Sequence, residues 1–480
     1  MKSGFARAEI TTREGNIHDP LYVKALVLDD GATRAALVSL DTICLGGGIG
    51  DLDDAFFPAL RRSLVPLGVT FLLGGATHTH TPGRMLRPQD EVLAAAADAV
   101  RQAIDTLEPA RVGSGIGHDP SFAVNRTLKL SSGSAWTIRQ AHPLPPDREI
   151  AALDAFDDTV GVLRVDRADG SPLCTLFTFG CHPLLGYASN AVTANYPGVA
   201  ERLLRQKTGA DAIFFQSCGG DVTEIAYKDY DRPKCCEEPG ISLGLAALDV
   251  WRGIETRDVV LRAARRGVTF PRRADIPDYR GKLLAECDAL VASLADCPLD
   301  FRTFLPLYMK YLVSPDYPLA HKYAYLREEE RGLTQLRDQD TINRKNLEKY
   351  IQNVETMEKL SKIASTLDTL SWHEDYNRAA GADTVDGEVT ALGIGDCALL
   401  SVPVELLSEV GQRIRAASPI PKTFIAAYAN GYMHYGAPAA SYQNGGYETI
   451  ECFLGAGWQE TAERAAAEVL DEIEPKEETL

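Results

Sequence analysis

Two histidines one residue apart, in the run Gly74-Gly75-Ala76-Thr77-His78-Thr79-His80-Thr81-Pro82-Gly83, carry the most chemistry per residue in this chain. They follow Val-Thr-Phe-Leu-Leu, an apolar stretch of the kind that forms a buried strand, and lead into a loop bounded by Gly and Pro. In an extended backbone, side chains two positions apart point the same way, so His78 and His80 are expected to face one cleft. Imidazoles so placed suit metal binding and proton handling. The alternative, a merely polar loop, weakens as partners accumulate elsewhere in the sequence.

Three further apolar runs end in residues of the same chemical kind. CTLFTFGC leads to His182, ALLSVPV leads to Glu405, and FIAAYAN leads to Tyr432, His434 and Tyr435. Taken alone, His182 reads as a satisfied core histidine and Glu405 as a carboxylate at a helix N-terminus favoured by the dipole. Taken together, they sit where α/β sheets gather ligand sites, at the carboxyl ends of strands. Two histidines and one glutamate with an open position suit a catalytic zinc ion, which polarises a carbonyl and lowers the pKa of water to about 7.

The elements that must position these residues alternate strands with amphipathic helices over roughly the first 270 residues. LYVKALVLDDGATRAALVSLD reads as a hairpin turning at Asp29-Asp30-Gly31, and TVGVLRVDRADGSPLCTLFTFGCHP as a second turning at Ala168-Asp169-Gly170. DDAFFPALRRSLVPLG, EVLAAAADAVRQAIDTL and PGVAERLLRQ read as helices, the last opened by Pro197. Charged helical patterns occupy about 272–381, expected as an insertion, and strand patterning returns with GEVTALGIGDCALLSVP and KTFIAAYAN. The helix ELLSEVGQRIRAAS is expected to start at Glu405, and PKEETL to form a loose tail.

Composition excludes several classes. Lys+Arg 49 against Asp+Glu 67 gives a net charge of −18 without a basic run, which argues against nucleic acid and anionic membrane surfaces. No stretch approaches a membrane span, the N-terminus lacks a signal-peptide core, and Cys 10 without a CxxC pair fits reduced thiols, so the expected location is the cytoplasm. Cys218 in QSCGGD reads as a buried structural cysteine, Thr223 as a turn or supporting hydroxyl, and LGGGIGD as a flexible turn without the Lys-Ser/Thr of a phosphate loop.

The same segments resemble the catalytic domain of the neutral (non-lysosomal) ceramidases along nearly the whole chain. GFARAEIT is similar to that family's opening, GATHTHTPG to its His-Thr-His-Ser loop, and GCHP to its second histidine segment. IFFQSCGGDVTE resembles its Gly-Asp-Val-Ser stretch, SVPVELLSEVG its Pro-x-Glu-Phe-Thr segment, and ANGYMHYGAPAASYQNGGYE its tyrosine-rich stretch, with Tyr432, Tyr435, Tyr442 and Tyr447 in register.

Residue by residue, the resemblance implies Zn2+ held by His78, His182, Glu405 and Tyr435. It implies His80 as acid/base residue, and Tyr447 and Arg126 (in AVNRTL) as stabilisers of the oxyanion; a surface salt bridge is the alternative for Arg126. The implied fold is α/β, a mixed β-sheet core flanked by helices. One ceramidase-like catalytic domain is expected over 1–480, with the helical insertion and no C-terminal β-sandwich. The implied activity is hydrolysis of a C–N amide bond in a small-molecule or lipid-like N-acyl substrate; homo-oligomerisation is left open. A barrel-type metal amidohydrolase or lactonase and a non-catalytic zinc-stabilised binding protein are the competing readings.

Overall fold

The computed structural model describes residues 1–80, 84–139 and 142–475. Thr81, Pro82 and Gly83 of the histidine loop, and the tail 476–480, lie outside the described residues. Contacts divide the chain into two compact units: one of 1–140, 144–274 and 375–480, the other of 141–143 and 275–374.

The first unit holds an eight-stranded mixed sheet. In spatial order its strands are Asp211–Gln216, Pro172–Phe179, Thr159–Arg167, Glu108–His118, Lys2–Glu9, Tyr22–Asp29, Arg34–Leu40 and Phe71–Ala76. Both hairpins read from the sequence are present, and each outer strand pairs in parallel with its neighbour. A four-stranded sheet of Leu261–Pro271, Thr384–Ile394, Cys397–Ser401 and Lys422–Ala426 also contains a parallel pair at one edge.

The strands are apolar on both faces because the two sheets share a core. Leu26, Leu28, Leu37, Leu73, Ile213 and Phe215 pack with Leu392, Leu399 and Phe424 of the smaller sheet. The alternate residues Val23, Ala25 and Val27 turn the other way, into a core with Phe56, Leu60, Val92 and Ala96 of the helices Phe56–Leu64 and Gln89–Asp105. Ala212 and Phe214 likewise pack with the helices Asn195–Thr208 and Glu237–Arg252. Strands covered on both sides read as continuous hydrophobic runs rather than alternating ones. The architecture is therefore an α/β one, a mixed-sheet core flanked by helices, as expected. An open sheet with antiparallel pairs is not a (β/α)₈ barrel, so the barrel-type amidohydrolase reading falls.

Local corrections matter for the site. Glu405 does not open a helix: Glu405–Leu406 is a two-residue strand and the helix begins at Ser408, so the dipole explanation of this carboxylate fails. Pro197 is the third residue of its helix, which starts at Asn195. Thr223 lies in the short strand Val222–Glu224, paired with Val124, and not in a turn. The glycine-rich turn is tied down: Gly47 N donates to Asp54 Oδ1 at 2.6 Å and its carbonyl accepts from His434 Nε2 at 2.7 Å.

The second unit is helical, with Ile276–Ser293, Phe301–Val313, Lys322–Glu330 and most of the 46-residue helix Gln335–Ala380. Tyr311 and Tyr325 both donate to the buried Asp340, at 2.9 and 3.0 Å. Among the described residues, no helix is long and apolar enough to cross a membrane, and all ten cysteines are unpaired thiols.

Candidate functional site

Each histidine segment leaves the carboxyl end of a parallel strand, and the side chain of Gln216 fastens the two segments together. Its Nε2 donates to Cys181 O at 2.7 Å and to Thr77 O at 3.4 Å, and its Oε1 accepts from Cys181 N at 3.2 Å. Past these anchors, His78 and His182 enter one buried space.

The expected reason for the His78–His80 pairing is not the actual one. The strand ends at Ala76, and His78 has φ +62°, left-handed rather than extended. That conformation is uncommon for a residue with a side chain and clusters at functional sites. The result is still convergence: His80 Nε2 lies 3.0 Å from His78 Nε2.

Glu405 and Tyr435 arrive together, because they are directly opposite partners in the short parallel pairing of Glu405–Leu406 with Tyr435–Gly436. Glu405 Oε2 lies 3.1 Å from His182 Nε2 and 3.4 Å from His78 Nε2, and Tyr435 Oη lies 3.2 Å from His182 Nε2. All four residues are nearly sealed from solvent, at 1% exposure for His78 and His182, 2% for Glu405 and 6% for Tyr435.

Backbone carbonyls set which ring nitrogen is available. His78 Nδ1 is 2.7 Å from Ile43 O and His182 Nδ1 is 2.6 Å from Gly219 O. A carbonyl only accepts, so each Nδ1 carries a proton and each Nε2 faces the shared space. Burial, then the charge of Arg126, lowers the His182 pKa to about 4. Burial, then His78 and His182, holds His80 well below its usual value. Burial raises the Glu405 carboxyl, but His78 and His182 outweigh it and keep it well below the usual range. Two imidazole Nε2 atoms and a buried carboxylate thus converge.

That donor set fits a small divalent cation. Four ligands at 2.0–2.1 Å in a tetrahedron stand about 3.3 Å from one another, and the separations of 3.1, 3.2 and 3.4 Å match. Burial raises the Tyr435 phenol well above its usual pKa, and Arg126 opposes it; a bound cation would favour the phenolate further. His78, His80 and His182 also present ring nitrogens within 4.8 Å of one another, so distance alone admits His80 as a ligand.

Arg126 is not on the surface, which removes the surface salt-bridge alternative. It is 4% exposed, with Nε donating to Glu448 Oε1 at 2.9 Å and Nη2 to Tyr435 Oη at 2.8 Å and Gly220 O at 2.7 Å. Tyr447 is half-buried, its ring centroid 5.6 Å from that of Tyr435 and 5.3 Å from the Arg126 guanidinium. The seven residues that the resemblance implies for the site therefore belong to one neighbourhood. His434 does not: its Nε2 is turned to Gly47 O. Cys218 is buried, with its thiol pushed up to about 12 by burial first, which suits a structural role.

Sequence reasoning named Tyr432 without its role and missed the other supports. Tyr432 Oη donates to Glu405 Oε1, and Tyr428 Oη lies 3.5 Å from Glu405 Oε2. The four-residue spacing of these tyrosines was the available signal. Glu448, beside Tyr447, was also passed over. A cavity of about 580 Å3 opens on His80, walled by the 184–191 segment, Tyr227 and Lys234.

No family model and no curated protein sequence matches the chain. Solved structures do resemble it, among them two ceramidases. The first is described as neutral ceramidase from Pseudomonas aeruginosa: TM-score 0.59, 16% identity, covering 98% of this chain and 74% of that one. The second, described as ceramidase complexed with C2, has TM-score 0.59 and 14% identity over the same shares. The fold is neutral-ceramidase-like.

Proposed function

We propose that the protein is a zinc-dependent hydrolase that cleaves the C–N amide bond of an N-acyl compound. The observation that carries this reading is the convergence of His78, His182, Glu405 and Tyr435 at separations that suit one tetrahedral ion, with His80 alongside. The ceramidase-like fold supports the reaction class, and the substrate need not be a lipid.

In this reading His78, His182, Glu405 and Tyr435 would hold the ion, which would supply carbonyl polarisation and a water pKa near 7. His80, kept neutral by burial and by its neighbours, takes a proton at Nε2 from the attacking water and returns it to the departing nitrogen. Water supplies oxygen to the acyl carbon and the proton to the amine, so an acid and an amine leave. Arg126 stays charged: burial opposes the charge, but Tyr435 and Glu448 raise its pKa well above the usual value. Its Nη1 makes no hydrogen bond among the described residues, and with the Tyr447 hydroxyl it faces the carbonyl oxygen as negative charge grows there. Glu448 and Gly220 O fix the guanidinium plane.

The test joins metal analysis to turnover on long-chain ceramide and on short soluble N-acyl amides. His78→Ala and His182→Ala are expected to lose the metal, whereas His80→Ala is expected to keep it and lose activity. Full metal occupancy in either of the first two, or near wild-type turnover in the third, removes the assignment. Loss of metal from His80→Ala makes that residue a ligand.

A further inference from the structure

Among the described residues, the cavity that opens on His80 has one charge in an otherwise uncharged lining. Leu184, Leu185, Ala191, Tyr187 and Tyr227 offer apolar and aromatic surface, and Lys234 is the charged lining residue among the described ones. Lys234 is half-buried, with Nζ 5.1 Å from the Tyr227 ring centroid, and it makes no salt bridge among the described residues.

The surroundings do not neutralise it. Glu224 is the carboxyl group whose field reaches Lys234, but burial pushes that carboxyl up to about 7. Its Oε1 is engaged by the backbone N–H groups of Leu184 and Leu185 at 2.9 and 3.2 Å, and its buried Oε2 has no hydrogen-bond partner among the described residues, so the two form no ion pair. Lys228 stands close enough for the two ammonium groups to repel. Withdrawing a cation from water beside a like charge is unfavourable for folding. On a chain of net charge −18, a lysine placed this way points to an anion that arrives with the ligand. One ammonium in the lining balances one negative charge, which suits a carboxylate better than a dianionic phosphate. The volume, about 580 Å3, lies in the range of small-molecule pockets.

We propose that this cavity binds the carboxylate of an N-acyl amino acid, with Lys234 as the specificity-determining residue and the Leu184–Ala191 wall against the hydrocarbon part. The proposal rests on reading the His80 end of the cavity as the reacting end.

The test uses hexanoyl-glycine, its neutral analogue hexanoyl-glycinamide, and hexanoyl-aminomethylphosphonate. Binding is measured by calorimetry and turnover by amine release, on wild type, Lys234→Met and Lys234→Arg. Hexanoyl-glycine is expected to bind about ten- to a hundredfold tighter than the glycinamide, the range of one hydrogen bond between charged partners. Lys234→Met is expected to remove that preference while leaving the neutral affinity unchanged, and Lys234→Arg to retain most of it. Equal affinities, no binding of either, or a preference that survives Lys234→Met overturns the proposal, and tighter binding of the phosphonate overturns the carboxylate assignment. A Lys234-dependent preference without hydrolysis of any amide defeats the hydrolase reading and leaves the anion site standing. Hydrolysis without a carboxylate preference does the reverse.

Discussion

Replacing Tyr432 by Phe removes a single oxygen from the protein and should weaken metal binding more than any other change of that size. Tyr432 is buried, and its hydroxyl is the donor that holds Glu405 Oε1, leaving Oε2 beside the two imidazoles. Without it a buried carboxylate oxygen loses its partner, and the carboxylate is free to rotate. A hydrogen bond to a charged group contributes about 1.5–3 kcal/mol, and loss of an outer partner of a metal ligand weakens metal affinity by roughly ten- to a hundredfold. Tyr428 provides the internal control. Its hydroxyl lies 3.5 Å from Glu405 Oε2, too long for a strong bond, so Tyr428→Phe should cost several-fold at most. Competition with a chelator of known affinity, alongside far-UV dichroism to confirm folding, measures both. Wild-type affinity in Tyr432→Phe, or a larger loss in Tyr428→Phe, would refute the argument that Tyr432 orients the carboxylate.

Two further outcomes follow from buried charges. Arg126→Met should lower kcat by about 10²–10³ if the guanidinium faces the developing oxyanion. It should also destabilise the fold by about 3–5 kcal/mol, because Glu448 is left buried without its cation. Adding Glu448→Gln should restore most of the stability in urea unfolding but none of the turnover; recovered turnover would make the role structural. Glu224 tests the pH dependence. Burial, opposed by backbone N–H groups, pushes its carboxyl up to about 7, above an unfolded value of about 4.3. The folded state therefore favours the protonated form: this contribution is complete below pH ~4.3 and is lost as pH rises toward 7. The loss is on the order of 3 kcal/mol. Glu224→Gln should flatten this limb of the urea-midpoint profile between pH 5 and 8, and an unchanged slope would show that Glu224 does not produce it.

How much of this was legible in the sequence depended on whether side chains or backbone did the positioning. Runs such as Phe71–Ala76 and Pro172–Phe179 announced strands covered on both faces, and the residues just beyond such runs supplied the candidate ligands. Nothing in a side-chain type announces that His78 adopts φ +62°, so the pleat argument reached a sound pairing by an incorrect route. The Ile43 and Gly219 carbonyls that orient the imidazoles have no signature at all, since every residue carries a carbonyl. The glycine-rich turn looked loose because glycines permit many conformations. In the fold Gly47 has φ +75° and packs so tightly that a Cβ there would meet Tyr432 at 2.3 Å. Gln216 ends the strand Asp211–Gln216, and only the tertiary structure shows what it clasps.

The clasp made by Gln216 has a consequence for the order of events during biosynthesis. It joins backbone from Thr77 and Cys181, while the remaining donors at 405 and 435 emerge from the ribosome much later. Contacts so remote in sequence carry a large closure entropy and form slowly. On the proposed ligand set, newly made chain must dock both sheets before the four donors can meet, so metal uptake would mark completed maturation rather than act as a nucleus for it.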